Sequence, residues 1–263
     1  MLPGPCALLS DVHLGVSSPQ VERSLVAFFR SLHGRARSVV INGDLFDFWF
    51  EWRTVIPRDH YRTLAALADL HEDGIAVLMT AGNHDGWGGD FLRNDVGVEY
   101  VAGGVWRGVV AGWSVLVEHG DGLRPVEDKK YRRLRAVIRH PLSIRVFRWL
   151  HPDLGTRIAR GSSSASREHQ LFGDSGAGLR AIAHERLTSD PTMELLVFGH
   201  SHVPALERIA GAGVYANPGS WLDAPTYLWI TPERVELRRW SDLAEGERLD
   251  AIDRFPEKSL AQP

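Results

Sequence analysis

Asp11 and His13, Asp44, Asn83 and His84, His119, and His200 and His202 are the residues whose types and spacing point to chemistry. Each group closes a short apolar run, and five of the twelve histidines fall within these few stretches. In Asp11-Val12-His13 and His200-Ser201-His202 an extended backbone would put both side chains on one face, because side chains alternate with period two. Each pair can then help to hold a cation. Carboxylate, amide and imidazole donors together suit Mn, Fe or Zn, whereas an all-oxygen set would suit Mg or Ca. With His84 set aside, seven ligands remain, too many for one ion but right for two that share a carboxylate. Two ions roughly 3.5–4 Å apart activate a water and neutralise charge on a phosphoryl group during in-line displacement. Singly, each motif is ordinary: Asp11 or Asn83 as a turn residue, Asp44 as a helix cap, the preceding glycines as turn glycines. Five in order, each ending an apolar run, are not.

The elements that must position these groups are strands. Residues 6–10, 39–41, 75–79, 113–118 and 195–198 are the apolar runs that end at the five motifs. Gln20–Leu32, Tyr61–Leu70 and Gly176–Leu187 carry helical spacing between them. Further short strands are expected near 97–101, 105–110, 214–216, 226–230 and 235–239. In an open α/β sheet ligands sit beyond the carboxyl ends of the strands, where such loops converge. No internal repeat or linker divides the chain. The expectation is one α/β domain over residues 1–240, a basic helical insertion at about 124–172, and a loose polar tail over 241–263.

Composition bounds the setting. The chain has 263 residues, 44% of them hydrophobic and 24% charged, which excludes disordered and low-complexity classes. Cys6 is the single cysteine, so intrachain disulfides and thiolate clusters are excluded. There is no apolar run of membrane-spanning length and no basic leader ahead of the first strand, which suggests a cytoplasmic location. The net charge of −3 hides an asymmetry. Between Arg124 and Arg167 twelve basic residues face three acidic ones, a local +9 that leaves −12 for the rest.

Asp11-Val12-His13, Gly43-Asp44, Gly82-Asn83-His84-Asp85, His119-Gly120 and Gly199-His200-Ser201-His202 together resemble the ordered motifs of the calcineurin-like metallophosphoesterases. The resemblance spans residues 11–202. It implies a four-layer α/β/β/α sandwich and a dinuclear site, Mn preferred with Fe or Zn as alternatives. One ion would be held by Asp11, His13, Asp44 and His202, the other by Asp44, Asn83, His119 and His200. His84 would be the nonligand imidazole that assists the leaving oxygen, and Asp85 would orient it.

Three further details resemble the UDP-2,3-diacylglucosamine hydrolase branch of that family. They are Gly43-Asp44-Leu45-Phe46-Asp47-Phe48-Trp49, Trp221 after Asn217-Pro218-Gly219-Ser220, and a basic insertion between His119 and Gly199. His84 departs from the branch, which has Arg there. The resemblance implies a lid whose Tyr131, Arg135, Arg157, Arg160, Ser163 and Arg167 contact substrate, a UDP-linked acyl sugar. Aliphatic residues interleaved with arginines fit an acyl chain and a diphosphate, and would draw the enzyme peripherally to an anionic inner-membrane face. The alternative substrate is another phosphodiester or phosphomonoester, nucleic-acid ends included. The scarcity of aromatics among the basic residues speaks against nucleic acid, and no obligate protein partner is implied.

Overall fold

β1 (Cys6–Leu9), β2 (Ser38–Asn42), β3 (Ala76–Thr80) and β4 (Val98–Val101) run parallel in the order β1-β2-β3-β4. The structure, a computed structural model, describes residues 1–159, 161, 175–241 and 246–254. On the far side of β1, three antiparallel strands extend the sheet: β10 (Thr226–Ile230), β11 (Arg234–Arg239) and β12 (Glu247–Asp253). A second sheet has the order β5-β6-β7-β9-β8. Its strands are β5 (Val105–Val110), β6 (Trp113–Glu118), β7 (Leu195–Val197), β8 (Ala205–Arg208) and β9 (Val214–Asn217), with β6, β7 and β9 parallel.

Side-chain alternation turns these sheets into layers. Ala7, Leu9, Val39, Ile41, Val77 and Met79 face a core shared with α1 (Pro19–Ser31) and α2 (Tyr61–Glu72). Their sequence neighbours Cys6, Leu8, Val40 and Leu78 face the opposite way, into a core shared with Trp113, Val115, Val117, Leu195 and Val197 of the second sheet. Leu196 and Tyr215, on that sheet's outer side, meet Leu179, Ala183 and Leu187 of α6 (Ala177–Ser189). Three cores between four layers make the α/β/β/α sandwich. Both faces of the central strands are buried, which is why they read as continuous apolar runs.

Two elements differ from the sequence expectation. The tail expected to be loose from residue 241 contributes β12, the edge strand of the larger sheet. Six of its seven residues are solvent-exposed, so no apolar alternation marks it. It is tied by pairing to β11 and by Arg234–Asp253 at 2.9 Å and Arg239–Glu247 at 3.4 Å. The short α3 (Asp90–Asn94) also lacked a signal; its first turn is held by Glu51, which accepts from Gly89 N at 2.8 Å and Phe91 N at 3.0 Å.

The basic insertion forms α4 (Lys129–Ile138), α5 (Pro141–Phe147) and a helical stretch over 152–159. The break at Pro141 is a restart: His140 caps α5 by accepting from Leu142 N, and Pro141 occupies the first turn, where its missing N–H costs nothing. Phe147 packs against Phe50 at 4.8 Å, and the Trp52 indole donates to Leu150 O at 3.2 Å. The hydrophobic segment after Gly43-Asp44 thus packs against the basic insertion.

Candidate metal centre

Asp11 and His13 follow β1, Asp44 follows β2, Asn83 follows β3, His119 follows β6, and His200 and His202 follow β7. Every one lies beyond the carboxyl end of a parallel strand, so the two sheets deliver them to one place. The local backbone is not extended as the alternation argument supposed. Asp11, His13, Asp44, His200 and His202 all have φ between 50° and 61°, five of the eight non-glycine residues with positive φ among those described. A non-glycine residue held there costs on the order of 1–3 kcal/mol, and such strain gathers where function over-determines the geometry.

Two glycines are set by contact. A Cβ on Gly43, itself at φ 76°, would lie 2.6 Å from His119 Nδ1. One on Gly82 would overlap Asp44 Oδ1. The loops are also laced together: Val12 N and His13 N both donate to Asp44 O, at 2.9 and 3.0 Å. Asn217 Nδ2 donates to Gly199 O and Ser220 Oγ to Asp11 O, so the Asn217–Ser220 turn braces the ligand loops from behind.

Each carboxylate spends one oxygen on the backbone. Asp11 Oδ2 accepts from His200 N at 3.0 Å and Asp44 Oδ1 from His84 N at 2.9 Å. The other oxygens, Asp11 Oδ1 and Asp44 Oδ2, are fully buried with no hydrogen-bond partner among the described residues. They face imidazoles: His202 Nε2 lies 3.4 Å from Asp11 Oδ1, and His119 Nε2 lies 3.3 Å from Asp44 Oδ2. His13 Nε2 is 3.8 Å from Asp44 Oδ2 and 3.3 Å from His202 Nε2.

The tautomers sharpen this. His119 Nδ1 sits 2.9 Å from Asn42 O, so in the neutral ring it carries the proton, and the Nε2 lone pair then points at Asp44 and at Asn83 Oδ1, 3.2 Å away. His202 Nδ1 is likewise turned to Asp223 Oδ2 at 3.2 Å. Lone pairs and buried carboxylate oxygens converging on one point repel unless a cation lies between them. Donors about 2.0–2.2 Å from one ion stand roughly 3.0–3.5 Å apart, so the observed spacing fits. Three overlapping donor groups result, Asp11–His13–His202, Asp11–Asp44–His119 and His13–Asp44–His84. His200 completes the constellation, its ring 5.2 Å from that of His119. The pKa values divide the imidazoles: burial would lower His119 and His202, but the carboxylates of Asp44 and Asp11 outweigh it and raise both, His202 to about 9, so without a cation protons take its place between these groups. Burial pushes His13 down to about 3 and His200 to about 4, leaving neutral imidazoles suited to ligation. Burial would raise Asp11, but His119 and His202 outweigh it and hold the carboxyl at about 2.

Other expected site residues are placed differently. Asp85 is committed to the backbone. Its carboxylate accepts from the backbone N–H groups of Gly82, Asp44 and Leu45 at 2.9, 3.2 and 2.8 Å. The residue behind His84 is Asp47: its carbonyl receives His84 Nδ1 at 3.1 Å, and its Oδ1 lies 3.5 Å from that nitrogen and 4.0 Å from His13 Nδ1. Tyr131 and Arg135 are spent on Asp121, two residues after His119. The Tyr131 hydroxyl donates to Asp121 Oδ2 at 2.6 Å and Arg135 Nη1 lies 3.0 Å from the same oxygen. Asp47, Asp121 and Asp223 each sat in or beside a quoted motif, but nothing in the spacing assigned them these partners. Arg157 is exposed on the basic insertion, while Arg160, Ser163 and Arg167 lie outside the described residues.

A sandwich of this topology around a buried Asp/His/Asn cluster defines a class. A family model described as calcineurin-like phosphoesterase matches residues 4–204, and the chain belongs to that family; it is a metal-dependent hydrolase with a candidate dinuclear site. A relative from Pseudomonas fluorescens, named UDP-2,3-diacylglucosamine hydrolase, is 31% identical over 209 residues, covering 77% of this chain and 81% of its own. One of the same name from Porphyromonas gingivalis is 28% identical over 214 residues, covering 74% and 81%. Among solved structures, the phosphoesterase Yfce from E. coli aligns with a TM-score of 0.46 at 14% identity, over 94% of this chain and 97% of that one.

The position of Asp47 leads to a prediction. Asp47→Asn keeps the carbonyl that orients His84 but removes the charge beside both imidazoles. Hydrolysis of an aryl phosphodiester is expected to fall about 10–100-fold, the usual cost of losing such a supporting carboxylate. Steady-state rates within twofold of the parent would show that only the backbone of Asp47 matters.

Proposed function

We propose that this chain hydrolyses the diphosphate of UDP-2,3-diacylglucosamine, yielding UMP and 2,3-diacylglucosamine 1-phosphate. The observation that carries the reading is a buried carboxylate–imidazole cluster beneath a lid that is both basic and openly apolar. Trp149, Val137, Leu142, Val146, Ile158 and Leu154 are 86, 62, 61, 60, 53 and 50% exposed in the lid. Such a surface suits a substrate with an anionic and a greasy part. The names of the curated relatives support the same substrate.

In this reading Asp11, His13, Asp44 and His202 hold one divalent cation, and Asp44, Asn83, His119 and His200 the other, with Mn preferred. When bound, the pair supplies Lewis acidity toward the phosphoryl group and lowers the pKa of water. The chain's own part is to aim and protonate. His84 is oriented through Nδ1 by the Asp47 carbonyl, so Nε2 is the atom placed to give a proton to a leaving oxygen. Asn42 and Asp223 hold the ligand tautomers of His119 and His202. The working unit is one domain with residues 124–172 as its lid, and of the lid residues expected from the sequence to touch substrate Arg157 is described and exposed. No helix among the described residues is long and apolar enough to cross a membrane. The exposed lid side chains favour peripheral contact with an anionic inner-membrane face, each basic residue near it adding about 1 kcal/mol. No protein partner is required.

Purified protein loaded with Mn and given UDP-2,3-diacylglucosamine beside bis(4-nitrophenyl) phosphate should release UMP faster than nitrophenol and lose both activities on chelation. Turnover of the aryl ester alone would reject the lipid substrate.

A further inference from the structure

Arg139 is a lid residue with no place in the site described so far. It lies at the C-terminal end of α4, half-buried, and its Nη2 donates to Gly82 O at 2.6 Å. A Cβ added to Gly86 would lie 2.9–3.1 Å from Nη2, Nε and Cζ, so the guanidinium is flush against that glycine as well. Gly82 and Gly86 bracket Asn83, His84 and Asp85. The lid therefore lays one positive charge along the loop that carries a metal ligand and the proposed proton donor. The contact is reinforced next door, where the Trp87 indole donates to Ile138 O at 3.2 Å.

The remaining donors of this guanidinium are what call for a ligand. Arg124 and Arg135, in the same segment, each have a carboxylate, Asp128 at 2.8 Å and Asp121 at 3.0 Å. Arg139 has no carboxylate within 4 Å and no second hydrogen bond among the described residues. Four of its five N–H groups are then uncommitted, beside a centre built for phosphoryl oxygens. A guanidinium so placed matches the paired oxygens of a phosphate, and the carbonyl at Gly82 already restricts its orientation.

We propose that Arg139 is a specificity-determining residue that binds the second phosphate of a diphosphate substrate, the one not under attack at the metal centre. The substrate class is a nucleoside diphosphate ester. The assignment deepens the function proposed above, and its test is separable from it. For each protein, inhibition of bis(4-nitrophenyl) phosphate hydrolysis by UDP is compared with inhibition by UMP, and UDP affinity for the chelated protein is measured by calorimetry. Arg139→Gln should raise the UDP inhibition constant about 10–100-fold more than the UMP constant, with a matching loss in calorimetric affinity. Arg139→Lys should recover part of it. On UDP-2,3-diacylglucosamine the loss should appear mainly in KM. Equal changes for UDP and UMP, or no change for either, would overturn the proposal and leave Arg139 as a staple between lid and loop. A parent protein that cleaves the aryl ester but not the lipid would reject the lipid substrate, while the UDP-to-UMP ratio still decides Arg139. Thermal melts of both variants check that the lid remains seated.

Discussion

Asp44→Asn is expected to abolish turnover and leave the fold intact, with kcat/KM on an aryl phosphodiester down by about a thousandfold or more. The geometry makes this a clean substitution. Asp44 Oδ1 accepts His84 N at 2.9 Å, and an asparagine carbonyl at that position accepts the same bond. The exchange is confined to Oδ2, which becomes an amide nitrogen 3.3 Å from His119 Nε2. Because His119 carries its proton on Nδ1, the new N–H group meets a lone pair and satisfies it. Burial would raise the Asp44 carboxyl, but His119 and His84 outweigh it and hold it well below the usual carboxylate range, so losing that charge should lower the melting temperature of the chelated variant while leaving it folded. What is lost is a carboxylate that belongs to two of the three donor groups, as Asp11 also does. Elemental analysis should give fewer than two tightly bound metal ions per chain. A variant that keeps two ions and near-parental rates would remove Asp44 from the bridging position and with it the dinuclear mechanism.

The five motif ends were legible because a strand buried on both faces must be apolar throughout, while the loop after it need not be. Val39-Val40-Ile41 followed by Asn42-Gly43-Asp44 states both the strand and the place where it releases a ligand. Other features lack such a local mark. Glu247–Asp253 is held by backbone pairing and by ion pairs at its two ends, with no apolar alternation to announce it. Asp121 holds Tyr131 and Arg135 across a loop, and a charge count over the segment counts those arginines without saying which are already taken. The same count hid Arg139, which differs from Arg135 only in having no carboxylate opposite. Backbone conformation was also out of reach: the five candidate ligand residues with positive φ are held by partners up to 189 residues away, as with His200 N on Asp11.

Asp85 and His84 are neighbours in sequence whose substitutions should fail in opposite ways. Asp85 is fully buried, and burial with the charge of Asp44 pushes its carboxyl up to about 7, against the backbone N–H groups that draw it down. Its oxygens join the Gly82 turn to the Asp44 turn through bonds of 2.9 Å to Gly82 N and 2.8 Å to Leu45 N, with Asp44 N at 3.2 Å and Phe46 N at 3.4 Å. Asp85→Ala orphans these buried donors, which should cost about 3–5 kcal/mol. For a chain of this size that lowers the melting temperature by roughly 10 °C. Asp85→Asn should also destabilise, since its amide N–H2 would face two backbone N–H groups on one side. His84→Ala leaves every one of these bonds in place, because the bond from His84 to Asp44 is made by its backbone N–H. It should melt within a few degrees of the parent yet lose about 10²–10⁴-fold in kcat, as expected for a general acid. Calorimetry and rates on the same preparations separate the two. If Asp85→Ala kept its melting temperature and lost kcat as His84→Ala does, Asp85 would belong to the chemistry rather than to the loop that presents it.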